Sequence, residues 1–311
     1  MRAAASGPLE AFGPGKVILL GEHAVVYGAT ALAVPLALGV TARARPARAC
    51  ALDVPDGIRG ATRERLLRAF SLAADATARP AVRVSLQSTL PMSLGLGSSA
   101  AVAVAVADVL LQASRPGHSF SQARLLALAE GMEVVFHGTP SGVDHACSAL
   151  GLPICFRRRG PGRAPLVRPV ALGRPLELLV ALAGSRGPTR DTVSALRQRQ
   201  ARWSARYRRI FQEVGRVAED GVRAAEAGDL EALGDAMNVN HGLLSALGVS
   251  SPALDGLVGF LREAGALGAK LTGAGGQGGA VVGLFRDGRA AQKKLSRAGV
   301  AAFLSRVEVS G

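Results

Sequence analysis

Three short stretches of this 311-residue sequence combine residue types that could handle a phosphorylated ligand. The first is Gly95-Leu96-Gly97-Ser98-Ser99-Ala100. Its glycines let the backbone approach phosphate oxygens, and a helix starting there would offer unpaired N–H groups and a partial positive charge. The Ser98 and Ser99 hydroxyls can hydrogen-bond a phosphate or ligate magnesium. Taken alone, the same loop also reads as a tight packing turn. The second stretch runs from Glu133 to Asp144 through Gly138-Thr139-Pro140-Ser141-Gly142. A carboxylate late on a helix suits a metal, and one after a tight turn suits a substrate hydroxyl. Singly, a surface glutamate and a capping aspartate are the plain readings. The third is Gly13-Pro14-Gly15-Lys16, where the lysine is either a functional cation or a turn residue.

Two common nucleotide-binding signatures fail on this chain. Gly273-Ala274-Gly275-Gly276-Gln277-Gly278 fits GxGxxG, but a strand pattern follows where a dinucleotide site needs a helix. Gly95 to Ala100 fits GxGxxA, yet Gln112 to His118 supplies no acidic residue ~20 positions on to take a ribose hydroxyl. No GxxxxGK[ST] sequence occurs. A Rossmann enzyme and an ordinary P-loop enzyme are both disfavoured.

The elements that must position these residues follow from periodicity. Val17 to Leu20 reads as a buried strand, and Val82, Val84 and Leu86 alternate as a half-buried one. The serine pair and the alanines after it favour a buried helix to about Leu111, although Val102, Val104 and Val106 alternate like a strand. Ser121 to Phe136 reads as a second helix, broken by the glycines at 138 and 142. Beyond Gly173 come a strand at Leu176–Leu182 and one long amphipathic segment from Val193 to Val217. The chain then reads strand (Gly279–Phe285), helix (Gly288–Ala298) and strand (Ala301–Val309). This is an α+β pattern with a division near residue 173, giving domains 1–173 and 174–311.

Composition narrows the partners. Hydrophobic residues make up 49% of the chain but aromatic ones only 4%, so the core is built from small side chains. The net charge of +14 is carried almost wholly by arginine, since only Lys16, Lys270, Lys293 and Lys294 are lysines. Arginine clusters at Arg157–Arg159 and Arg197–Arg209 have few aromatic neighbours apart from Trp203 and Tyr207, and no zinc-finger spacing appears, so no nucleic-acid partner is expected. Cys50, Cys147 and Cys155 are sparse and odd in number, which favours reduced thiols in a cytosol. Met1 to Phe12 has no signal-peptide pattern. Of the apolar stretches, Val17–Val40 is interrupted by Glu22, His23 and Pro35, and Ala100–Leu111 falls short of the ~20 residues a span needs. A soluble, cytoplasmic protein without a membrane partner is expected.

Taken jointly, the motifs are specific. Pro14-Gly15-Lys16-Val17-Ile18-Leu19-Leu20-Gly21-Glu22-His23-Ala24-Val25-Val26-Tyr27-Gly28 resembles the first motif of the GHMP small-molecule kinases, closest to the mevalonate kinase branch. Leu90-Pro91 through Gly95–Ala100 is similar to the family's phosphate-binding motif, and Lys270-Leu271-Thr272-Gly273-Ala274-Gly275-Gly276 to its third. His137-Gly138-Thr139-Pro140-Ser141-Gly142-Val143-Asp144 resembles the segment with the catalytic aspartate. Asn240–Leu244 and Gly248–Asp255 also read like that family. The matches run in order from about residue 13 to 285.

The resemblance implies a two-domain α+β fold: an N-terminal domain of the ribosomal-protein-S5 type and a ferredoxin-like C-terminal domain. It implies transfer of the ATP γ-phosphoryl group to the 5-hydroxyl of mevalonate. By position, Asp144 would face the hydroxyl, with Lys16 beside it. Ser99 and Glu133 would hold Mg²⁺. Gly95, Leu96, Gly97, Ser98 and Ser99 would wrap the phosphates, with Ser88 a nucleotide neighbour. Glu22, His23 and, on a looser match of Gly187-Pro188-Thr189-Arg190, Thr189 would lie near the substrate. The sequence departs from the pattern at Gly13, where Ala is common, at Gln277, where Gly is usual, and at Gly279, where Cys is common. Another GHMP kinase (phosphomevalonate kinase, mevalonate 3-kinase or homoserine kinase) and a non-catalytic ligand sensor on the same fold stay open as alternatives, as does a homodimer built on the C-terminal helices.

Overall fold

A computed structural model of the chain describes residues 9–91, 95–160, 162–183 and 189–309. In chain order the elements begin with β1 (Leu9–Leu20), a 3-10 turn at Ala24–Tyr27, β2 (Thr30–Pro46), β3 (Ala51–Asp53), α1 (Gly60–Ala76) and β4 (Val82–Ser88). Three helices follow, α2 (Ser98–Ser114), α3 (Gln122–His137) and α4 (Val143–Leu150), then β5 (Ile154–Arg157), β6 (Leu166–Pro169) and β7 (Leu176–Ala183). Next come α5 (Thr189–Arg202), α6 (Ser204–Ala227), α7 (Leu230–Ala246) and α8 (Pro252–Glu263). The last elements are β8 (Gly268–Thr272), β9 (Gly279–Phe285), α9 (Arg289–Arg297) and β10 (Ala302–Val307). The mixed α+β character expected from the sequence is the one observed.

The chain forms two compact units. One comprises Met1–Gly15, Leu38–Pro91 and Gly97–Gly151. In it the second half of β2 pairs antiparallel with β4, from Val40 opposite Ser88 to Pro46 opposite Val82, and β3 adds in parallel to β4. Helix α2 is the buried one. Ala100, Ala101, Ala103, Ala105, Ala107, Val104 and Val106 are almost fully enclosed and Val102 is half-buried, all on one continuous helix, which settles the strand-or-helix ambiguity of that run. Helix α3 begins where Ser121 accepts the Arg124 N–H on its side chain. It ends at Gly138, whose φ of 75° no β-carbon would favour.

The other unit comprises Lys16–Ala37, Met92–Leu96 and Leu152–Gly311. Its main sheet is antiparallel in the order β10-β7-β9-β8. Every residue of β8 and β9 is buried; β9 is the strand expected at Gly279–Phe285, whereas β8 is not among the expected strands. Leu179, Phe211, Val214, Leu244, Leu254 and Val281 share its core. The first half of β2 pairs with β5, and β5 with β6. The long amphipathic segment from Val193 to Val217 falls on two helices, α5 and α6. Its apolar stripe lapses between Leu196 and Tyr207, so nothing buried holds a helix through Trp203, which leaves helical geometry at φ −129°, ψ 52°.

Gly13 shows why this sequence departs from alanine there. A β-carbon on it would lie 2.1 Å from the Ala101 carbonyl oxygen, because α2 rests directly on the β1 backbone. Gly13→Ala is therefore expected to destabilise the protein by about 2 kcal/mol through overpacking, read as a lower denaturant midpoint at unchanged slope.

Candidate active site

In the first unit, α2 starts after Gly97, which adopts φ 76° and ψ 27°, and the helix start has no side-chain cap. The amides of its first turn have no acceptor within the helix. The Ser98 Oγ is buried and, among the described residues, has no hydrogen-bond partner. Together these make an uncapped, anion-seeking helix start of the kind that phosphate oxygens fill. Ser99 Oγ lies 2.9 Å from His137 Nε2, and Glu133, one turn earlier on α3, puts Oε1 4.0 Å from the same nitrogen. Ser99 and Glu133 are thus brought to one place, with His137 as the shared neighbour the motif reading had assigned no role. Glu133 is only 2% exposed. Among the described residues no three His, Cys, Asp or Glu side chains cluster. A hydroxyl and one carboxylate fit Mg²⁺ held with phosphate oxygens better than an all-protein metal cage.

Asp144 sits in the first turn of α4, after Gly142 at φ 97°. Ser88 ends β4, and its hydroxyl closes a local turn by accepting the Leu90 N–H at 3.2 Å.

The second unit holds the remaining polar groups. Lys16 is 2% exposed; its backbone N–H donates to the Leu96 carbonyl at 2.9 Å and its Nζ to the Gly95 carbonyl at 3.2 Å. The first motif and the start of the glycine loop are therefore held side by side. Glu22 is buried, with its carboxylate on Lys270 and Asn240. Burial pushes the Glu22 carboxyl up and the Lys270 ammonium down, and their mutual attraction opposes both shifts. His23 Nε2 faces the Ala274 carbonyl at 3.2 Å in the third glycine loop. That loop lies against Gly95, whose oxygen would stand 3.2 Å from a β-carbon on Gly273. Gln277 is exposed, and a side chain at Gly279 would meet nothing within 4 Å, so neither departure crowds the loop. Thr189 opens α5, but its side chain lies outside the described residues, as do residues 184–188.

Family models described as GHMP kinases N terminal domain and GHMP kinases C terminal match residues 62–152 and 222–301. A mevalonate kinase of Aeropyrum pernix is 37% identical over 293 residues, covering 88% of each chain. The chain belongs to the GHMP kinases. A mevalonate kinase of Pyrococcus horikoshii is 32% identical over 294 residues, 85% of each chain. The crystal structure of L. major mevalonate kinase in complex with R-mevalonate matches with a TM-score of 0.86 and 26% identity, covering 100% of both chains. As a member of this family the protein is an ATP-dependent kinase acting on a hydroxyl group. No helix among the described residues is long and apolar enough to cross a membrane.

Sequence reasoning placed Asn240, His241, Lys270 and Thr272 within family-like segments without giving them work. His241 Nδ1 accepts the Leu271 N–H at 3.4 Å, and Nε2 donates to Asp255 Oδ1 at 3.1 Å, which fixes the neutral tautomer. Burial drives the ring down to about 4, and the same holds for His23. In the unfolded chain both rings take up a proton near pH 6.5, while the folded protein keeps them neutral to about pH 4. Stability is therefore full above about pH 6.5 and falls as the pH drops toward 4. Denaturant unfolding of this GHMP kinase at pH 7 and pH 5 is expected to show that loss, and His241→Gln to make it shallower.

Proposed function

We propose that the chain is a mevalonate kinase, transferring the γ-phosphoryl group of ATP to the 5-hydroxyl of mevalonate with Mg²⁺ as the metal. The observation that carries this reading is the match to archaeal mevalonate kinases over most of both lengths. Lys16, Ser99, Glu133 and Asp144 stand in settings that suit the chemistry. Phosphoryl transfer asks for positioning and charge neutralisation more than for covalent work. The amides that open α2 and the Ser98 hydroxyl, which has no partner among the described residues, receive phosphate oxygens. Ser99 and Glu133 would hold the magnesium ion, which when bound neutralises phosphate charge. Asp144 accepts or orients the proton of the attacking hydroxyl, and Lys16 supplies the cation that favours its loss. His23, Glu22 and Thr189 would contact the substrate.

The test is ADP release by the purified protein with ATP and Mg²⁺ on mevalonate, 5-phosphomevalonate and homoserine, with the phosphorylated oxygen read by NMR. Turnover on mevalonate at the 5-oxygen is expected. Turnover on another compound, or at the 3-oxygen, would keep the fold and move the substrate. ATP binding without turnover on any of them would favour the sensor alternative. Asp144→Asn is expected to lower kcat by about 10²- to 10⁴-fold while nucleotide affinity holds. An equal loss of nucleotide affinity would remove Asp144 from its role.

A further inference from the structure

The end of β1 is gripped by side chains of β8. The Thr272 hydroxyl accepts the Ile18 N–H at 3.0 Å and donates to the Ile18 carbonyl, also at 3.0 Å. Two residues earlier, on the same face of β8, the Lys270 ammonium donates to that carbonyl at 3.4 Å and to the Leu271 carbonyl at 2.6 Å. Its ionic partner is Glu22, whose second oxygen takes an N–H from Asn240 at 3.4 Å. The Asn240 Oδ1 in turn accepts the Gly21 N–H. Thr272, Lys270, Glu22 and Asn240 are all buried.

Side chains along a strand share a face every second residue. Lys16 therefore stands beside Ile18 on the same face of β1, two residues along one extended backbone, so a shift or twist of the strand at Ile18 carries over to the Lys16 Cα. One hydroxyl satisfying both backbone groups of Ile18 holds the strand at that point. Lys270 adds a third bond to the same residue. Glu22 balances the Lys270 charge, so that Lys16 does not face an uncompensated second cation in a buried setting.

We infer that Lys270 and Thr272 are positioning residues for Lys16, acting through Ile18 and, for Lys270, through Glu22. The kinetic part of this inference rests on the kinase reading above. Neither residue need touch the substrate. A misplacement of order 1 Å at a reacting group can cost about 10²-fold in rate, so the loss should fall on kcat rather than on binding.

The variants are Thr272→Val, which keeps the shape and deletes the hydroxyl, Thr272→Ser, which restores it, and Glu22→Gln combined with Lys270→Met. Thr272→Val is expected to lower kcat at least about tenfold, with KM values and nucleotide affinity within about twofold of the parent, and Thr272→Ser to recover kcat. Lys270→Met alone should lose more than the double variant, which leaves no unpaired buried charge.

A second readout needs no substrate. The chain has only four lysines, so protein carrying ¹³C at the lysine ε-carbons gives a spectrum in which Lys16 is assigned by Lys16→Met. Thr272→Val should move the Lys16 signal and leave those of the exposed Lys293 and Lys294 in place. If Thr272→Val does not fold, the double variant carries the same measurement with the same expectation. A folded Thr272→Val protein with parental kcat and an unmoved Lys16 signal, even with a lower melting temperature, would reduce the contact to a structural one and overturn the inference. A parent protein inactive on mevalonate would defeat the kinase reading alone, because the Lys16 signal still tests the positioning.

Discussion

Three charges buried in one unit, Lys16, Lys270 and Glu22, set the terms for the polar groups around them. Removing an ion from water costs several kcal/mol even after the protein relaxes, and the cost is recovered only when partners are close and remaining donors are satisfied. Here each ammonium has carbonyl partners as well, Gly95 for Lys16 and Ile18 and Leu271 for Lys270. Those carbonyls belong to β1, to β8 and to the glycine loop. Solvating the charges thus ties the three motifs of this unit to one another. An apolar pair of similar volume is often as stable as a buried ion pair; what this pair adds is a set of directional bonds from β8 to Ile18 and Glu22.

The first unit solves the complementary problem. It presents bare N–H groups at the start of α2, and that helix must be packed tightly enough to hold its aim without a side-chain cap. Small residues do this. With alanines along most of its buried surface and Gly13 beneath it, α2 lies against the β1 backbone at a distance no larger residue would allow.

Much of this was legible in the sequence, for reasons that can be stated residue by residue. The serine pair announced the start of α2, although the two serines are its first residues and not its cap, which is Gly97 in a left-handed conformation. Gly138 and Gly142 announced the break before α4. The break at Trp203 was not legible, since apolar spacing resumed in phase after it. What failed there was burial across Leu196 to Tyr207, a tertiary property. The work of Lys270, Thr272 and Asn240 was likewise hidden. Their partners lie 218 to 254 positions away along the chain, and no local pattern reports a contact at that range. His137 was in plain view within its motif, yet its link to Ser99 depends on α3 packing against α2.

The choice of cation is itself informative. Almost every basic residue here is arginine, a preference broad enough to fill surfaces regardless of role. Lysine survives at Lys293 and Lys294 on the exposed face of α9, and at Lys16 and Lys270, which are 2% and 0% exposed. At those two buried sites arginine would bring five N–H donors in a planar fork, and each would need an acceptor out of reach of water. An ammonium needs three, and for Lys270 the carbonyls of Ile18 and Leu271 and the Glu22 carboxylate supply three. The Lys270 ammonium is thus satisfied between β1 and β8 while Thr272 reaches both backbone groups of Ile18. The composition that looks like a mere bias on the surface therefore marks, where it breaks in the interior, the positions at which geometry outranks charge.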